Sequence, residues 1–253
     1  MRDIIKKKLD LINGEVGFYY KNLVTKETIT YHAEDTFEAA SVIKIPIMIE
    51  VFRKIENKEL DGNEIFQVKK EDKVPSCGAL SYMHDGLEVT LKDLCTLMII
   101  LSDNTATNML IKRMGMQSTN ETMEILGLTK TKLKRMMFDK KQAALGIQNY
   151  ISPKEIGTLL EMMYDGILIS KEASKEMIAI LGNQRLNGKI PFYITDGTKV
   201  AHKTGEDTGV SHDVGIVFAR EPFIVCFCSN HVNVPGFERV IQEITRDFLH
   251  MLK

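Results

Sequence analysis

The chain has 253 residues, enough to bury a substantial core in one large domain or two small ones. Its 33 Lys and Arg stand against 34 Asp and Glu, a formal charge of −1, so no basic excess points to nucleic acid. No stretch approaches the roughly 20 apolar residues of a membrane span, and charges interrupt every apolar run before Gly14, where a secretory leader would need one. The expected location is cytoplasmic, with a trimmed secreted form as the alternative.

Lys6, Lys7 and Lys8 read as the solvated face of a first helix, with Ile4, Ile5, Leu9 and Ile12 beneath. Two β-rich runs follow, Val16 to Tyr20 and Thr28 to Tyr31, joined by a polar stretch. A helix starts near Ser41 and runs through Phe52. It is apolar on nearly every side until Arg53, which predicts a central, buried helix. Leu91, Leu94, Leu97, Met98 and Leu101 mark one further helix face, and Ala106, Met109, Leu110 and Met114 another. Ser118 and Ser152 are capping candidates for helices over 118–126 and 153–164.

Residues 127–153 carry mixed charge and weak periodicity, and a loop of that length inside a compact domain is usually functional or a lid. Near the end, the runs Lys199 to Lys203, Val214 to Phe218 and Phe223 to Cys228 predict an antiparallel meander. Cys226 and Cys228 alternate with apolar neighbours, so both thiols face one side of the sheet as core groups rather than metal ligands. None of the four cysteines forms a CxxC pair, which agrees with a reducing compartment. A helix over 235–252 carries Phe237, Val240, Ile241, Ile244, Phe248 and Leu249 on one stripe.

Strands thus occupy both ends and helices the middle. The predicted class is α+β, a single domain over 1–253. Its antiparallel sheet comes from 1–38 and 187–253 and is flanked by helices, with an inserted all-helical subdomain over 39–186.

Three short motifs carry chemistry. In Ser41-Val42-Ile43-Lys44 the two polar residues lie three apart, so on a helix the Lys44 amine can reach the Ser41 hydroxyl. A lysine acts as a base when burial or a second cation lowers its pKa, and the apolar neighbours supply burial. Ser102-Asp103-Asn104 sits at the joint of two helices, where a polar turn can project side chains into a cleft or simply cap. Lys203-Thr204-Gly205 ends a predicted strand. Its lysine is a candidate second cation, and its glycine would let a substrate approach the backbone. Each tetrapeptide or tripeptide alone is weak, since about one SxxK arises by chance in such a chain.

Their order, with first residues 61 and then 101 positions apart, resembles the class A β-lactamases and their penicillin-binding relatives. The resemblance spans most of the chain and implies a β-lactamase/transpeptidase-like fold and an active-site serine hydrolase without cofactor or metal. It implies that Ser41 attacks a carbonyl and becomes acylated, that Lys44 shares base duty, and that Ser102 relays the proton to the leaving nitrogen. Asn104 would bond the substrate's amide side chain, and Lys203 and Thr204 would contact an acidic group. Next to Gly205, the backbone N–H of Glu206 would complete an oxyanion hole with that of Ser41.

Two departures qualify the substrate. The family's deacylating Glu, carried in an ExxLN segment, is missing. An apolar Met136, Met137 or Phe138 falls about there, and Asp139 is the nearest carboxylate, a possible but offset deacylation base. After the KTG motif come two acids, Glu206 and Asp207, which should repel an anionic substrate. The expected partner is therefore a small acyl compound, with β-lactam opening and weak deacylation as the family-level activity. An esterase or D-amino-acid peptidase is the close alternative, and a non-hydrolytic β-lactam sensor is the alternative of another class. A Ser-His-Asp arrangement drawing on His202 or His212-Asp213 is disfavoured, because strand-edge histidines usually serve as polar surface. The oligomeric state is not legible.

Overall fold

The computed structural model describes residues 1–252. In chain order the elements are α1 (Arg2–Asp10), β1 (Glu15–Asn22), β2 (Thr28–Tyr31), β3 (Phe37–Glu38), α2 (Lys44–Glu56), β4 (Ile65–Val68) and β5 (Leu87–Thr90). The middle is helical, with α3 (Leu91–Ile100), α4 (Asn104–Met114), α5 (Met116–Ile125) and α6 (Lys140–Ala144), then β6 (Tyr150–Ile151), α7 (Pro153–Tyr164) and α8 (Lys171–Gly182). The chain closes with β7 (Val200–Asp207), β8 (Val210–Val217), β9 (Phe223–Asn230) and α9 (Val234–Met251). No helix among the described residues is long and apolar enough to cross a membrane.

Five strands form one antiparallel sheet in the order β2-β1-β9-β8-β7. The first and last strands in sequence are neighbours, paired from Glu15↔Asn230 to Asn22↔Phe223, so the sheet is assembled from both ends of the chain as expected. It is an α+β fold with the helices of the middle packed on one face and the two terminal helices on the other.

Strand alternation divides the core between those faces. Tyr19, Ala201, Val214, Ile216, Ile224, Cys226 and Cys228 point toward α2, α3, α7 and α8. Phe18, Tyr20, Phe223, Val225 and Phe227 point toward α1 and α9. Both thiols of β9 are therefore core groups on one face. Covering both faces also explains why β9 reads as an unbroken apolar run rather than an alternating one. On the α9 side the Tyr20 and Phe248 rings stack at 4.0 Å and Phe223 tilts against the same ring.

The structure departs from the sequence expectations at several helix ends. Ser41 lies not in an α-helix but in a 3₁₀ turn, Ala40–Ile43, that feeds α2. Gly115, not Ser118, caps α5, and the Ser118 hydroxyl instead donates to the Glu50 carboxylate. Ser152 does occupy the N-cap of α7, but its hydroxyl donates to the Ala33 carbonyl at 2.9 Å. Nor is Lys8 simply solvated, since its ammonium bridges Glu243 and Asp247 at 3.0 Å each and ties α1 to α9. The β4–β5 hairpin, the two-residue pair β3–β6 and α8 were not foreseen.

Candidate active site

Three elements bring the motifs together. The 3₁₀ turn places Ser41 at the entrance of α2, and Lys44 begins the helix proper. The α3–α4 joint holds Ser102 and Asp103, and β7 carries Lys203, Thr204 and Gly205 inside the strand rather than at its end, since pairing continues to Asp207. Ala40 and Ser102 at the site hold left-handed backbone angles with φ of 41° and 53°, as do Ser76 and Phe138 along the cleft. Non-glycine residues pay for that conformation, so the surrounding packing must enforce it.

The supports are visible. Asp103 caps α4 through a bond from the Ala106 amide at 2.9 Å, and its other oxygen accepts from the Ala79 and Leu80 amides at 2.7 and 2.9 Å. The capping role and the site role of this motif thus coexist. Asn104 is fixed by its amide on the Cys77 carbonyl at 3.2 Å. Behind Ser41, the Ala39 amide donates to the Asn149 carbonyl at 2.7 Å. Gly205 has a packing reason as well: a Cβ there would lie 3.0 Å from His212 and 3.1 Å from Val42. The nucleophile turn rests directly on β7.

At the centre, the Lys44 Nζ lies 2.8 Å from the Ser102 carbonyl and 2.8 Å from Asn104 Oδ1, and 3.0 Å from the hydroxyls of both Ser41 and Ser102. The carbonyl and amide oxygens can only accept, so they take two N–H bonds. In the free amine these use both protons and leave the lone pair for the hydroxyls. Burial, reinforced by the positive charge of Lys203, holds the Lys44 pKa well below its ordinary value and favours that free amine. Both conditions expected of a lysine base are met.

Lys203 donates to Ser102 Oγ at 3.1 Å and to the Thr204 carbonyl at 2.9 Å. Its pKa falls to about 7, chiefly through burial and also through Lys189, against the opposing pull of Asp213, Cys77 and Glu206.

Residues 127–153 form one wall of the site and are stapled rather than loose. Asn120 makes a reciprocal pair of bonds to the Leu133 backbone at 2.8 and 2.9 Å. Asn108 on α4 does the same for Met137, at 2.8 and 2.9 Å. Asn149 accepts from the amides of Lys134 and Arg135 at 2.7 and 2.9 Å. This wall presents Met137 and Phe138 to a cleft of about 500 Å³ that also contains Ser41, Asn104, Asp139 and Glu206. One oxygen of Asp139 caps α6, accepting from the Gln142 amide at 3.1 Å.

The histidines are not surface groups, contrary to the sequence expectation. His202 and His212 are both buried. His212 Nε2 donates to the Glu38 carbonyl at 2.7 Å and its Nδ1 accepts from the Ser229 amide at 3.1 Å, which fixes a neutral ring. Burial brings its pKa down to about 4. His202 pairs with Asp213 at 2.8 Å, and the other oxygen of Asp213 accepts from the Ile190 amide. Both rings are committed to structure, and the Ser41 hydroxyl faces Lys44.

Lys189 was not foreseen. It is 3% exposed and donates to Glu206 at 2.7 Å, so Glu206 is not the unopposed charge that the sequence suggested. Its position in an irregular segment gave no periodic signal, and the need of Glu206 for a countercharge was the one available hint. Cys77 and Gly78, which carry the loop over Asp103, were missed for the same lack of pattern.

The Beta-lactamase enzyme family matches the chain over residues 1–252. The chain belongs to that family. Among curated relatives, Beta-lactamase 3 of Bacillus cereus is 26% identical over 249 residues, covering 95% of this chain and 78% of the relative. A solved β-lactamase from Sphaerobacter thermophilus DSM 20745 superposes with a TM-score of 0.92 at 30% identity, covering 99% of this chain and 96% of that one. A mutant of PBP-A, solved as its acyl-enzyme complex with penicillin G, gives 0.88 at 25% identity, covering 99% and 94%. This β-lactamase-family chain is a serine hydrolase with the fold of its class A relatives.

Proposed function

We propose that this family member opens β-lactam amides through an acyl-enzyme on Ser41 and releases the acyl group slowly. One observation carries the acylation half: the Lys44 amine stands 3.0 Å from Ser41 Oγ and from Ser102 Oγ while two pure acceptors hold its protons. Ser41 then gives its proton to Lys44 as its oxygen attacks the carbonyl. Ser102, bonded to both lysines, returns a proton to the leaving nitrogen. The Ser41 and Glu206 amides serve as oxyanion donors, Asn104 offers its free N–H group to the acyl side chain, and Lys203 with Thr204 and Gly205 borders the leaving half.

Release is the weak half in this reading because the wall places Met137 and Phe138 at the cleft, and its one carboxylate there, Asp139, is offset. One oxygen of Asp139 is engaged in the cap of α6, which disfavours it as a base. The same apolar wall favours a second reading, a protein that stays acylated and reports β-lactams without turning them over. An esterase or D-amino-acid peptidase would use the same serine on another acyl group.

The test mixes the protein with a chromogenic cephalosporin, a short nitrophenyl ester and a D-alanyl peptide, and follows each with intact mass. The expected result is a rapid adduct on Ser41 with slow cephalosporin turnover, both abolished in Ser41→Ala. A permanent adduct moves the assignment to the sensor, and turnover of ester or peptide alone moves it to those activities. No adduct and no turnover with any substrate would sink Ser41 as the nucleophile.

A further inference from the structure

Beyond the Asp213↔Phe227 pair the ladder between β8 and β9 stops, and side chains take over the link. Ser229 Oγ donates to the Ser211 carbonyl at 2.8 Å and accepts from the Ser211 amide at 3.1 Å, while the Ser229 amide donates to His212 Nδ1 at 3.1 Å. The chain that enters the nucleophile turn is fastened to this open end. His212 Nε2 donates to the Glu38 carbonyl at 2.7 Å, and Asn230 Oδ1 accepts from the Glu38 amide at 3.3 Å. The next amide, that of Ala39, donates to the Asn149 carbonyl at 2.7 Å. Carbonyl and amide of the Glu38–Ala39 peptide are thus both held. The left-handed Ala40 follows at once, and Ser41 after it. The His212 ring is completely buried and packs over Gly205, where a Cβ would lie 3.0 Å from it.

We propose that His212 is a positioning residue for the nucleophile: by clamping the Glu38–Ala39 peptide to the open end of β8 and β9, it holds the Ala40 turn that sets Ser41 against Lys44. The proposal rests on the Ser41 acyl-enzyme reading and adds a residue that acts on it without touching substrate. A non-glycine residue stays left-handed only where its surroundings over-determine the backbone, and the clamped peptide is the nearest such constraint on Ala40. With the clamp gone, Ala40 can relax toward a right-handed backbone and carry the Ser41 hydroxyl away from the Lys44 amine, now 3.0 Å distant. A displacement of about 1 Å at a reacting group is enough to cost on the order of a hundredfold in rate. Substrate binding, which draws on β7 and Asn104, is left in place.

Stopped-flow acylation by a chromogenic cephalosporin tests it, because its concentration dependence separates the acylation rate constant from the dissociation constant of the non-covalent complex. His212→Phe keeps a ring in the space but can neither donate to Glu38 nor accept from Ser229. Its acylation rate constant should fall about tenfold or more at an unchanged dissociation constant. His212→Gln, whose amide can donate to the one and accept from the other, should recover the rate to within about threefold of wild type. Thermal melts and the fraction of chain that forms an adduct by intact mass identify the folded population. Should His212→Phe not fold, His212→Asn takes its place, since its amide keeps a polar group in the cavity on a shorter reach. A wild-type acylation rate constant in the folded fraction, a loss carried by the dissociation constant, or a loss that His212→Gln does not recover would each overturn the positioning role alone. Failure of wild-type Ser41 to form any adduct would overturn the acyl-enzyme reading and this proposal with it.

Discussion

The side-chain nitrogens of Lys44 and Lys203 converge on a single oxygen, Ser102 Oγ, at 3.0 and 3.1 Å. Two cations cannot both keep their protons cheaply in so buried a place, and each has its pKa lowered. The division of labour follows from what each one touches. Lys44, which alone of the two reaches the Ser41 hydroxyl, supplies the base, and Lys203 supplies the charge.

A bell-shaped pH profile follows. Acylation should rise with pH as Lys44 loses its proton. It should fall again through about 7 as Lys203 loses its own, because a lowered lysine pKa means the charge is present below that value and lost above it. Loss of the Lys203 charge also removes one of the two causes that keep Lys44 deprotonated, so both changes act in the same direction. Stopped-flow acylation between pH 5 and 9 should show an alkaline limb centred near 7 in wild type. In Lys203→Arg, whose guanidinium stays charged, that limb should vanish. A limb that persists unchanged would dissociate it from Lys203.

Met137 has the backbone of a residue placed for function and the side chain of one that is not. Asn108 clamps both its N–H and its C=O, while the residue lines the cleft and packs its partly buried side chain against the core. Met137→Glu should therefore set a carboxylate on a rigid mount beside the acylated serine, where it can orient water. Loss of a penicillin adduct, followed by intact mass after excess drug is removed, should accelerate tenfold or more, a modest part of the roughly 10²–10⁴ available from a positioned base. An adduct lifetime equal to wild type would show that the wall lies too far from the ester.

Much of this arrangement was legible in the sequence, and the parts that were not share a physical cause. Ser41, Lys44, Ser102 and Lys203 stood out because they sit in short motifs within strongly periodic elements, and the structure brings those four side chains into one network. The central helix was legible because Lys44 to Phe52 is buried on all sides. Lys189, Gly78 and Asn149 act across long separations from segments without hydrophobic period. Two-residue strands such as β3 and β6 exist only because the tertiary fold aligns them. The histidines misled because sequence does not reveal that β7 is buried around His202 and β8 along its whole length.

Glu50 is a stability determinant on the far side of the same helix. It is fully buried and accepts from Arg53 at 2.8 and 3.0 Å, from Thr122 at 2.6 Å and from Ser118. Burial works against its charge, but those donors outweigh it and hold the carboxyl below its ordinary range. A depressed carboxylate pKa gives stability that is full above the unfolded value and lost as pH falls through the folded one. Glu50→Ala should cost about 3 kcal/mol in urea melts at pH 7, because Arg53 and two hydroxyls lose their acceptor. The gap between wild type and variant should narrow below about pH 4.5, where the unfolded chain begins to take up the proton.

Gly78 tests how far the site depends on the loop above it. Its φ of 114° is left-handed, and a Cβ would fall well inside contact distance of the Asp103 carboxyl carbon and oxygen. That carboxylate simultaneously caps α4 and holds Ala79 and Leu80, so a push on it is felt directly at Ser102 and Asn104. Gly78→Ala is expected to lower thermal stability by about 2 kcal/mol, from backbone strain and a disturbed cap together. Acylation of Ser41 should fall more steeply than stability requires, since Lys44 makes two of its four bonds to Ser102 and a third to Asn104. A variant that melts lower yet acylates at the wild-type rate would show that the loop shapes the fold without setting the geometry of the lysine.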